Sequence, residues 1–282
     1  MIKVKAYAKI NLGLHIVGKR PDGFHNIETV FHRINLFDAI TVRENDTIVV
    51  TSENSEIPTN NENLCWKAVE MLQHELHTTR GAAIHIAKNI PVGAGLGGGS
   101  SDAAIILQTV PFVWGKQIDT ETAKTLALKL GSDVPFFLGG QSAYAEGRGE
   151  KLSYVLLDLP YWIVLVNPGI HVSTPWAYKT LSEKRNGTFP HRTTLGKIFS
   201  LSSFQCVTTA ENDFEEIVFE AYPEIGTIKK KLLALHAVLA LMSGSGSSVF
   251  GLFELEADAK KAMSAFDPTY FVHLTEPNFT IE

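Results

Sequence analysis

Cysteine is nearly absent from this chain, which has 2 among its 282 residues. Two cysteines cannot build the disulfide framework of a small secreted protein, and they cannot supply a cysteine-rich metal site. Cys65 and Cys206 stand in apolar or mixed surroundings. We interpret both as thiols of the protein core.

Long hydrophobic runs are also missing, since no segment approaches the ~18 to 20 consecutive apolar residues that cross a bilayer. The first residues alternate in polarity and carry Lys3, Lys5 and Lys9. That pattern is typical of a strand and lacks the unbroken apolar core of a signal peptide. We therefore expect no membrane partner and a cytoplasmic location.

Basic charge is not in excess, because 25 lysines and arginines face 30 aspartates and glutamates, for a net charge of −5. Proteins that bind the phosphate backbone of nucleic acids usually present a basic face, so we expect a small-molecule partner and no nucleic acid. The length suffices for one large or two ordinary domains. We predict two, at residues 1–152 and 153–282.

What the chain does have is a glycine-rich segment, PVGAGLGGGSS, between an apolar strand and an apolar helix. Glycine can take positive φ, so such a run lets the backbone curl around an anion, and the first N–H groups of the following helix favour phosphate. The pattern predicts a phosphate cradle. Its residues are Pro91, Val92, Gly93, Ala94, Gly95, Leu96, Gly97, Gly98, Gly99, Ser100 and Ser101.

Three other readings of this segment compete. Gly93, Gly95 and Gly98 match the spacing of dinucleotide-binding folds, but Asn89, Ile90 and Pro91 lie between the preceding strand and the first glycine, where such folds turn at once. A P-loop needs a lysine after its last glycine, and Gly99 is followed by Ser100. A flexible linker is disfavoured because periodic apolar segments flank the glycines closely.

Hydrophobic periodicity indicates an α+β protein. Alternation predicts strands over roughly residues 2–17, 27–35, 38–43 and 47–51, and helical spacing predicts helices over about 62–76 and 120–130. A second glycine-serine cluster occupies residues 243–248, between two apolar strands. It is either a second wall of the anion site or the tip of a flexible hairpin.

Three segments in this order, AKINL at residues 8–12, the glycine segment and the cluster at 243–248, resemble the GHMP kinase superfamily of small-molecule kinases. The stretches AKINLGLHIVGKRPDGFHNIETVF, NIPVGAGLGGGSSDAA and LGSDVPFFLGG are similar to the branch that uses ATP to phosphorylate the 2-hydroxyl of 4-diphosphocytidyl-2-C-methyl-D-erythritol, in the non-mevalonate route to isoprenoids. The likeness spans nearly the whole chain.

The resemblance implies a two-domain α+β GHMP kinase fold, with an N-terminal half like the second domain of ribosomal protein S5 and a ferredoxin-like C-terminal half. Its site would lie in the cleft between them, with the glycine segment around the phosphates of ATP. Mg²⁺ is expected with the nucleotide. No acidic or histidine cluster has the spacing of a dedicated metal site, so we assign no metal residue.

The resemblance further implies that Lys9 and Asp133 are the catalytic pair. Asp133 would accept the proton of the alcohol, and Lys9 would keep it ionised and approach the phosphate or the acceptor oxygen. Strand alternation puts Asn11 on the same face as Lys9, where it could bind the substrate. From local sequence alone, Asp133 is equally well a helix N-cap, and Lys9 a surface lysine.

For the cytidine end, the family pattern maps Phe24 and His25 onto an aromatic-histidine pair, and Phe31 and Tyr178 onto rings that sandwich the base. Aromatic faces suit a flat uncharged base. Many members have tyrosine where this chain has Phe24, which loses a hydroxyl. Trp176 could take the place of Tyr178, and a histidine such as His25, taken alone, would more often be structural.

Two further functions stay open. Another GHMP kinase acting on homoserine, mevalonate or a sugar would keep the chemistry and change the acceptor, which would then have no base for the aromatic-histidine segment to hold. A catalytically silent nucleotide-binding protein would keep the fold alone, although the presence of both Lys9 and Asp133 speaks against it.

Overall fold

The computed structural model describes residues 1–190, 195 and 209–281. Cys206 lies outside these residues. Chain contacts divide the protein into two compact units: unit 1 holds residues 1–8, 36–92 and 97–140, and unit 2 holds residues 9–35, 93–96 and 141–282. The division at residue 152 stays a prediction. No helix in the described part of the chain is long and apolar enough to cross a membrane.

Strands and helices alternate irregularly along the chain, as in α+β proteins. The strands are β1 Ile2–Lys19, β2 His25–Asn45, β3 Val49–Ser52, β4 Gly81–Ala87, β5 Ser142–Gly147, β6 Lys151–Val155, β7 Trp162–Asn167, β8 Leu239–Met242, β9 Val249–Phe253 and β10 Phe271–Thr275. The helices are α1 Leu64–Glu75, α2 Gly98–Val113, α3 Thr120–Leu130, α4 Thr174–Lys184, α5 Glu215–Ala221, α6 Pro223–Ala234 and α7 Glu256–Met263, and a 3-10 helix covers Val134–Leu138.

In unit 1, β4 pairs antiparallel with the second part of β2, from Ala39↔Ala87 to Asn45↔Gly81, and parallel with β3. Helices α1, α2 and α3 pack on one another. Asn63 and Asp119 begin α1 and α3, and each side chain accepts a hydrogen bond from a backbone N–H of the first turn. These caps satisfy donors that a helix start leaves without partners.

In unit 2, the first part of β2 pairs with β5, which pairs with β6, both antiparallel. A second sheet has the order β10-β7-β9-β8, and all its pairs are antiparallel. The inner strands β7 and β9 are almost wholly buried apolar runs, as expected where both faces of a strand are covered. Helices α4 to α7 contribute to the core of this unit.

Two boundaries differ from the sequence expectation. The predicted strands at 27–35 and 38–43 are parts of one strand, β2, because the alternation of buried and half-buried side chains continues through residues 36 and 37. The helix expected from Asp102 begins four residues earlier, at Gly98. Its N-cap is Gly97 in the left-handed conformation, with φ of 70°, so the last glycines belong to the helix itself.

Candidate active site

The two glycine-rich segments lie against each other. Ser248 N donates to Ala94 O, and Ser243 Oγ donates to Gly95 O at 3.0 Å. A Cβ at Gly95 would lie 2.1 Å from Ser243 O, so only glycine permits this backbone approach. The cluster at residues 243–248 is thus held against the first glycine segment. This contact fits two walls of one site and disfavours a flexible hairpin tip.

Lys9 reaches the first of these segments from β1. Its backbone N–H donates to Leu96 O at 2.9 Å, and its Nζ donates to Gly95 O at 3.0 Å and to Asn11 Oδ1 at 2.6 Å. The Nζ also lies 5.1 Å from the centre of the Phe31 ring. Lys9 is only 3% exposed. The surface-lysine interpretation is therefore wrong, and the ammonium is fixed at the glycine segment.

Asn11 joins Lys9 to the second segment. Its backbone N–H donates to Ser243 Oγ at 3.3 Å, and its Nδ2 donates to Thr29 Oγ1 at 2.8 Å. Thr29 Oγ1 in turn donates to Gly13 O. Strand alternation correctly put Asn11 beside Lys9. Hydrogen bonds therefore fix the orientation of both the oxygen and the nitrogen of the Asn11 side chain.

Two asparagines that the sequence analysis did not single out hold the second segment. Asn212 Nδ2 donates to Met242 O at 2.7 Å and to Gly244 O at 2.8 Å, and Asn167 Nδ2 donates to Ser247 Oγ and Ser248 Oγ at 3.0 Å each. For Asn167, the available signal was a polar residue directly after the apolar strand β7. Asn212 gave no comparable signal, since its partners lie 30 and 32 residues away along the chain.

The first turn of α2 lies in unit 1 above a buried charged cluster. Lys88 Nζ binds Asp38 Oδ2, and it lies 2.9 Å from Asp102 Oδ2. Asp38 Oδ1 accepts hydrogen bonds from the backbone N–H groups of Asn89 and Ile90. Burial raises the pKa of Asp102 to about 7, although the Lys88 ammonium acts in the opposite direction. Neither Asp38 nor Lys88 was among the predicted site residues.

Asp133 stands at the start of the 3-10 helix and is half-buried. Within this described segment its side chain makes no capping hydrogen bond, whereas Asp119 Oδ1 accepts one from Thr122 N at 2.8 Å. The capping interpretation of Asp133 therefore has no support. The residues that follow Asp133 in this helix, Val134 to Phe137, are buried.

The residues expected at the cytidine end are placed as follows. His25 stacks on Tyr178, with 5.0 Å between ring centres, and its Nε2 lies 2.6 Å from Ser182 Oγ. Phe31 is buried against the Lys9 ammonium. Phe24 is 53% exposed, and the Arg148 guanidinium lies 4.8 Å from its ring centre.

The aromatic rings expected at the cytidine end have different neighbours. His25 and Tyr178 lie together, while the structure records Phe31 with Lys9 and Phe24 with Arg148. Trp176 packs edge-on against Tyr222. His25 is mostly buried, and desolvation lowers the pKa of its ring, which favours the neutral imidazole that can both donate and accept at a base edge.

Comparison with known proteins shows the family to which the chain belongs. The family of GHMP kinases N terminal domains matches residues 63–141, and the family of GHMP kinases C terminal domains matches residues 191–273. A 4-diphosphocytidyl-2-C-methyl-D-erythritol kinase of Chlorobium chlorochromatii (strain CaD3) is 41% identical over 283 residues, covering 100% of this chain and 98% of the relative. The chain belongs to the 4-diphosphocytidyl-2-C-methyl-D-erythritol kinase family.

Solved structures extend the comparison. A crystal structure of 4-(cytidine 5'-diphospho)-2C-methyl-D-erythritol kinase is 32% identical and superposes with a TM-score of 0.79, covering 98% of this chain and all of that one. Homoserine kinase from Cytophaga hutchinsonii, 19% identical, covers 98% of this chain and 94% of its own, with a TM-score of 0.74. That second likeness concerns the fold alone. The α+β GHMP kinase fold expected from the sequence is confirmed.

Proposed function

We propose that this chain transfers the γ-phosphoryl group of ATP to the 2-hydroxyl of 4-diphosphocytidyl-2-C-methyl-D-erythritol. The observation that carries the proposal is the hydrogen-bonded assembly of Lys9, Asn11, Gly95 and Ser243, because it unites the three segments on which the family resemblance rests. Full-length relatives of the same family support the choice of acceptor.

The glycine segment from Pro91 to Ser101 holds the ATP phosphates. Three of its glycines, Gly93, Gly95 and Gly97, have φ between 66° and 81°, the left-handed conformation that anion-binding backbone turns use. The start of α2 adds the donors and the positive dipole end of a 16-residue helix. Backbone groups thus supply most of the phosphate contacts, in agreement with the acidic net charge of the chain.

Phosphoryl transfer needs an in-line acceptor and stabilisation of the charge that develops on the transferring oxygens. Asp133 takes the proton from the 2-hydroxyl while the acceptor oxygen forms its bond to the γ-phosphorus and ADP leaves. Lys9 supplies positive charge at the glycine segment, where its ammonium is already held by Gly95 O and Asn11 Oδ1. Asn11 orients the acceptor.

Mg²⁺ accompanies the nucleotide and neutralises charge on its phosphate oxygens. No group of three or more histidine, cysteine, aspartate or glutamate side chains that could hold a metal occurs in the described part of the chain. The cytoplasmic location expected from the sequence stays a prediction.

His25, Tyr178, Phe24 and Phe31 recognise the cytidine end. The stack of His25 on Tyr178 offers an aromatic face and an imidazole edge within one cluster, and hydrogen bonds at that edge select the base. Phe24 is exposed and can stack on a ligand without first leaving the core. Homoserine and mevalonate carry no base, so a kinase for either acceptor would not need this aromatic cluster.

The experiment is a phosphorylation assay with Mg·ATP and four acceptors: 4-diphosphocytidyl-2-C-methyl-D-erythritol, free 2-C-methyl-D-erythritol, homoserine and mevalonate. We expect ADP formation and a phosphorylated product with the cytidine compound, and at least 100-fold lower kcat/KM with the other three. Preference for homoserine or mevalonate would replace the proposed acceptor. ATP consumption that is independent of every acceptor would favour the silent nucleotide-binding alternative.

A further inference from the structure

The buried cluster of Asp38, Lys88 and Asp102 has no role in the chemistry described so far. All three residues belong to unit 1, and they come from three separate elements: Asp38 from β2, Lys88 from the residue after β4, and Asp102 from α2. Their side chains are 0%, 4% and 5% exposed. Burying charged groups this deeply costs free energy unless they are paired, and here both carboxylates pair with Lys88.

The ammonium of Lys88 lies directly beneath the first turn of α2. A Cβ added at Gly98, the first residue of the helix, would lie 2.8 Å from Lys88 Nζ and 3.0 Å from Ile90 Cγ2. Because Nζ is held by carboxylates on two sides, it cannot swing away as a surface lysine would. The backbone of Gly98 therefore packs against the Lys88 ammonium, whose position is fixed.

Asp38 holds the backbone just before the glycine segment. Its Oδ1 accepts hydrogen bonds from Asn89 N at 2.7 Å and from Ile90 N at 2.9 Å, the two residues by which the chain enters the glycine segment. Its Oδ2 binds Lys88, which binds Asp102 in the second turn of α2. One continuous set of polar contacts thus connects the entrance of the segment with the helix at its exit.

We propose that Lys88, held between Asp38 and Asp102, is a positioning residue for nucleotide binding, which keeps the entrance of the glycine segment and the first turn of α2 in their phosphate-binding conformation before ATP arrives. The inference rests on the proposed function of this segment. Holding the backbone N–H groups in place beforehand removes ordering entropy from the binding step, so the cluster acts on nucleotide affinity. Rates at saturating ATP and affinity for the acceptor depend on other residues.

The test compares the wild-type chain with Lys88→Met, which keeps an unbranched side chain one atom shorter and removes the ammonium. Titration calorimetry with a non-hydrolysable Mg·ATP analogue should show at least a tenfold increase in Kd, and KM for ATP should rise by a similar factor. At saturating ATP we expect kcat within threefold of wild type and KM for the acceptor within twofold. A merely structural lesion would instead lower the active fraction and leave both KM values unchanged.

Lys88→Met leaves two buried carboxylates without their cation, and the variant could fail to fold. Lys88→Met/Asp102→Asn removes one of these charges and leaves Asp38 with its two backbone donors, so it gives the same affinity test in a less strained background. Circular dichroism and thermal melting verify folding. The matched control is Lys116→Met, in the same unit, whose Nζ donates to Leu76 O outside the cluster. Its nucleotide Kd should equal that of wild type.

A second measurement uses Gly98→Ala. The new methyl group of Gly98→Ala would press on Lys88 Nζ, so the substitution should raise the nucleotide Kd strongly in the wild-type background. In the Lys88→Met background, the fold-increase in Kd should be at least three times smaller. A folded Lys88→Met variant with unchanged nucleotide Kd would overturn the proposal, and so would full additivity of the two substitutions. Failure of the wild-type chain to bind the analogue would instead overturn the proposed function.

Discussion

Lys9 Nζ donates a hydrogen bond to the carbonyl oxygen of Gly95, 86 residues away along the chain, at 3.0 Å. The contact joins a buried ammonium to Gly95, which has a positive φ and whose backbone packs closely against Ser243. Since the same ammonium also binds Asn11 Oδ1, its position is fixed by two acceptors. The charge is thus held in place before any substrate is present.

Lys9→Met should therefore lower kcat by roughly 100-fold or more, because a fixed charge that stabilises the transferring phosphoryl group is lost. Steady-state kinetics with the cytidine acceptor measures this effect. Lys3→Met, at an exposed position of the same strand, is the control and should retain wild-type kcat. A Lys9→Met enzyme with kcat within threefold of wild type would remove Lys9 from the mechanism.

Asp133 and Asp119 form a matched pair, since each precedes a helix of unit 1 and only Asp119 caps its helix by a side-chain hydrogen bond. Asp119→Ala should cost about 1 kcal/mol of unfolding free energy and leave kcat unchanged. Asp133→Asn should lower kcat by roughly 100- to 10,000-fold and leave both stability and nucleotide binding nearly unchanged. Chemical denaturation, calorimetry and kinetics separate the two.

The reverse pattern would contradict the proton-acceptor role. If Asp133→Asn retained full turnover at neutral pH, another group or water would have to take the proton. If Asp133→Ala lost stability by as much as Asp119→Ala, a capping role would return.

The glycine segment could be located from the sequence because its signal is local: runs of glycine before an apolar helix have few other uses. Its phosphate-binding role stays a prediction. The position of Asn11 could also be predicted, since strand alternation alone puts it beside Lys9. The partners of these residues could not be predicted this way. Asn212, Asn167 and Thr29 act through contacts that join distant parts of the chain.

Lys88 illustrates the remaining difficulty. In the sequence it is one more lysine near the end of an alternating strand, for which solvent exposure is the ordinary expectation. Its burial depends on Asp38, 50 residues before it, and on Asp102, 14 residues after it. Strand β2 was likewise predicted as two strands, although residues 36 and 37 continue the alternation of buried and half-buried side chains between them.

Gly95 and Gly115 allow the cost of backbone conformation to be separated from the cost of crowding. Both have positive φ, 81° and 69°, but a Cβ at Gly95 would meet Ser243 O at 2.1 Å, and nothing lies within 4 Å of one at Gly115 among the described residues. Gly115→Ala should cost roughly 1 to 2 kcal/mol, the strain of the left-handed conformation alone. Gly95→Ala should cost about 4 kcal/mol or more and abolish nucleotide binding.

Urea unfolding and calorimetry with the ATP analogue check both substitutions. Equal destabilisation by the two would show that the backbones of the Gly95 and Ser243 segments separate easily, which would argue against a rigid pair of walls. Full nucleotide binding by a folded Gly95→Ala variant would lead to the same conclusion.

His32 provides a pH-dependent prediction independent of the active site. Its ring is buried beside Ser142, with Nδ1 2.7 Å from the hydroxyl oxygen, and burial lowers the pKa of the imidazole from 6.5 to about 4. Between these two values the unfolded chain binds one proton more than the folded chain, so the free energy of unfolding rises with pH across this window and falls as pH drops through it. Each pKa unit corresponds to about 1.4 kcal/mol, so the loss contributed by His32 from pH 7 to pH 4 is roughly 3 kcal/mol.

His32→Asn keeps a polar group beside Ser142 and removes the titration. Urea unfolding at a series of pH values should show a smaller decrease in stability below pH 6.5 for this variant than for wild type, whatever its absolute stability at pH 7. NMR titration of the wild-type ring gives the direct check, since the His32 resonances should not shift above about pH 5. A midpoint near 6.5 would mean that water reaches the ring and that β2 and β5 separate at this position, where His32 and Ser142 are paired across the two strands.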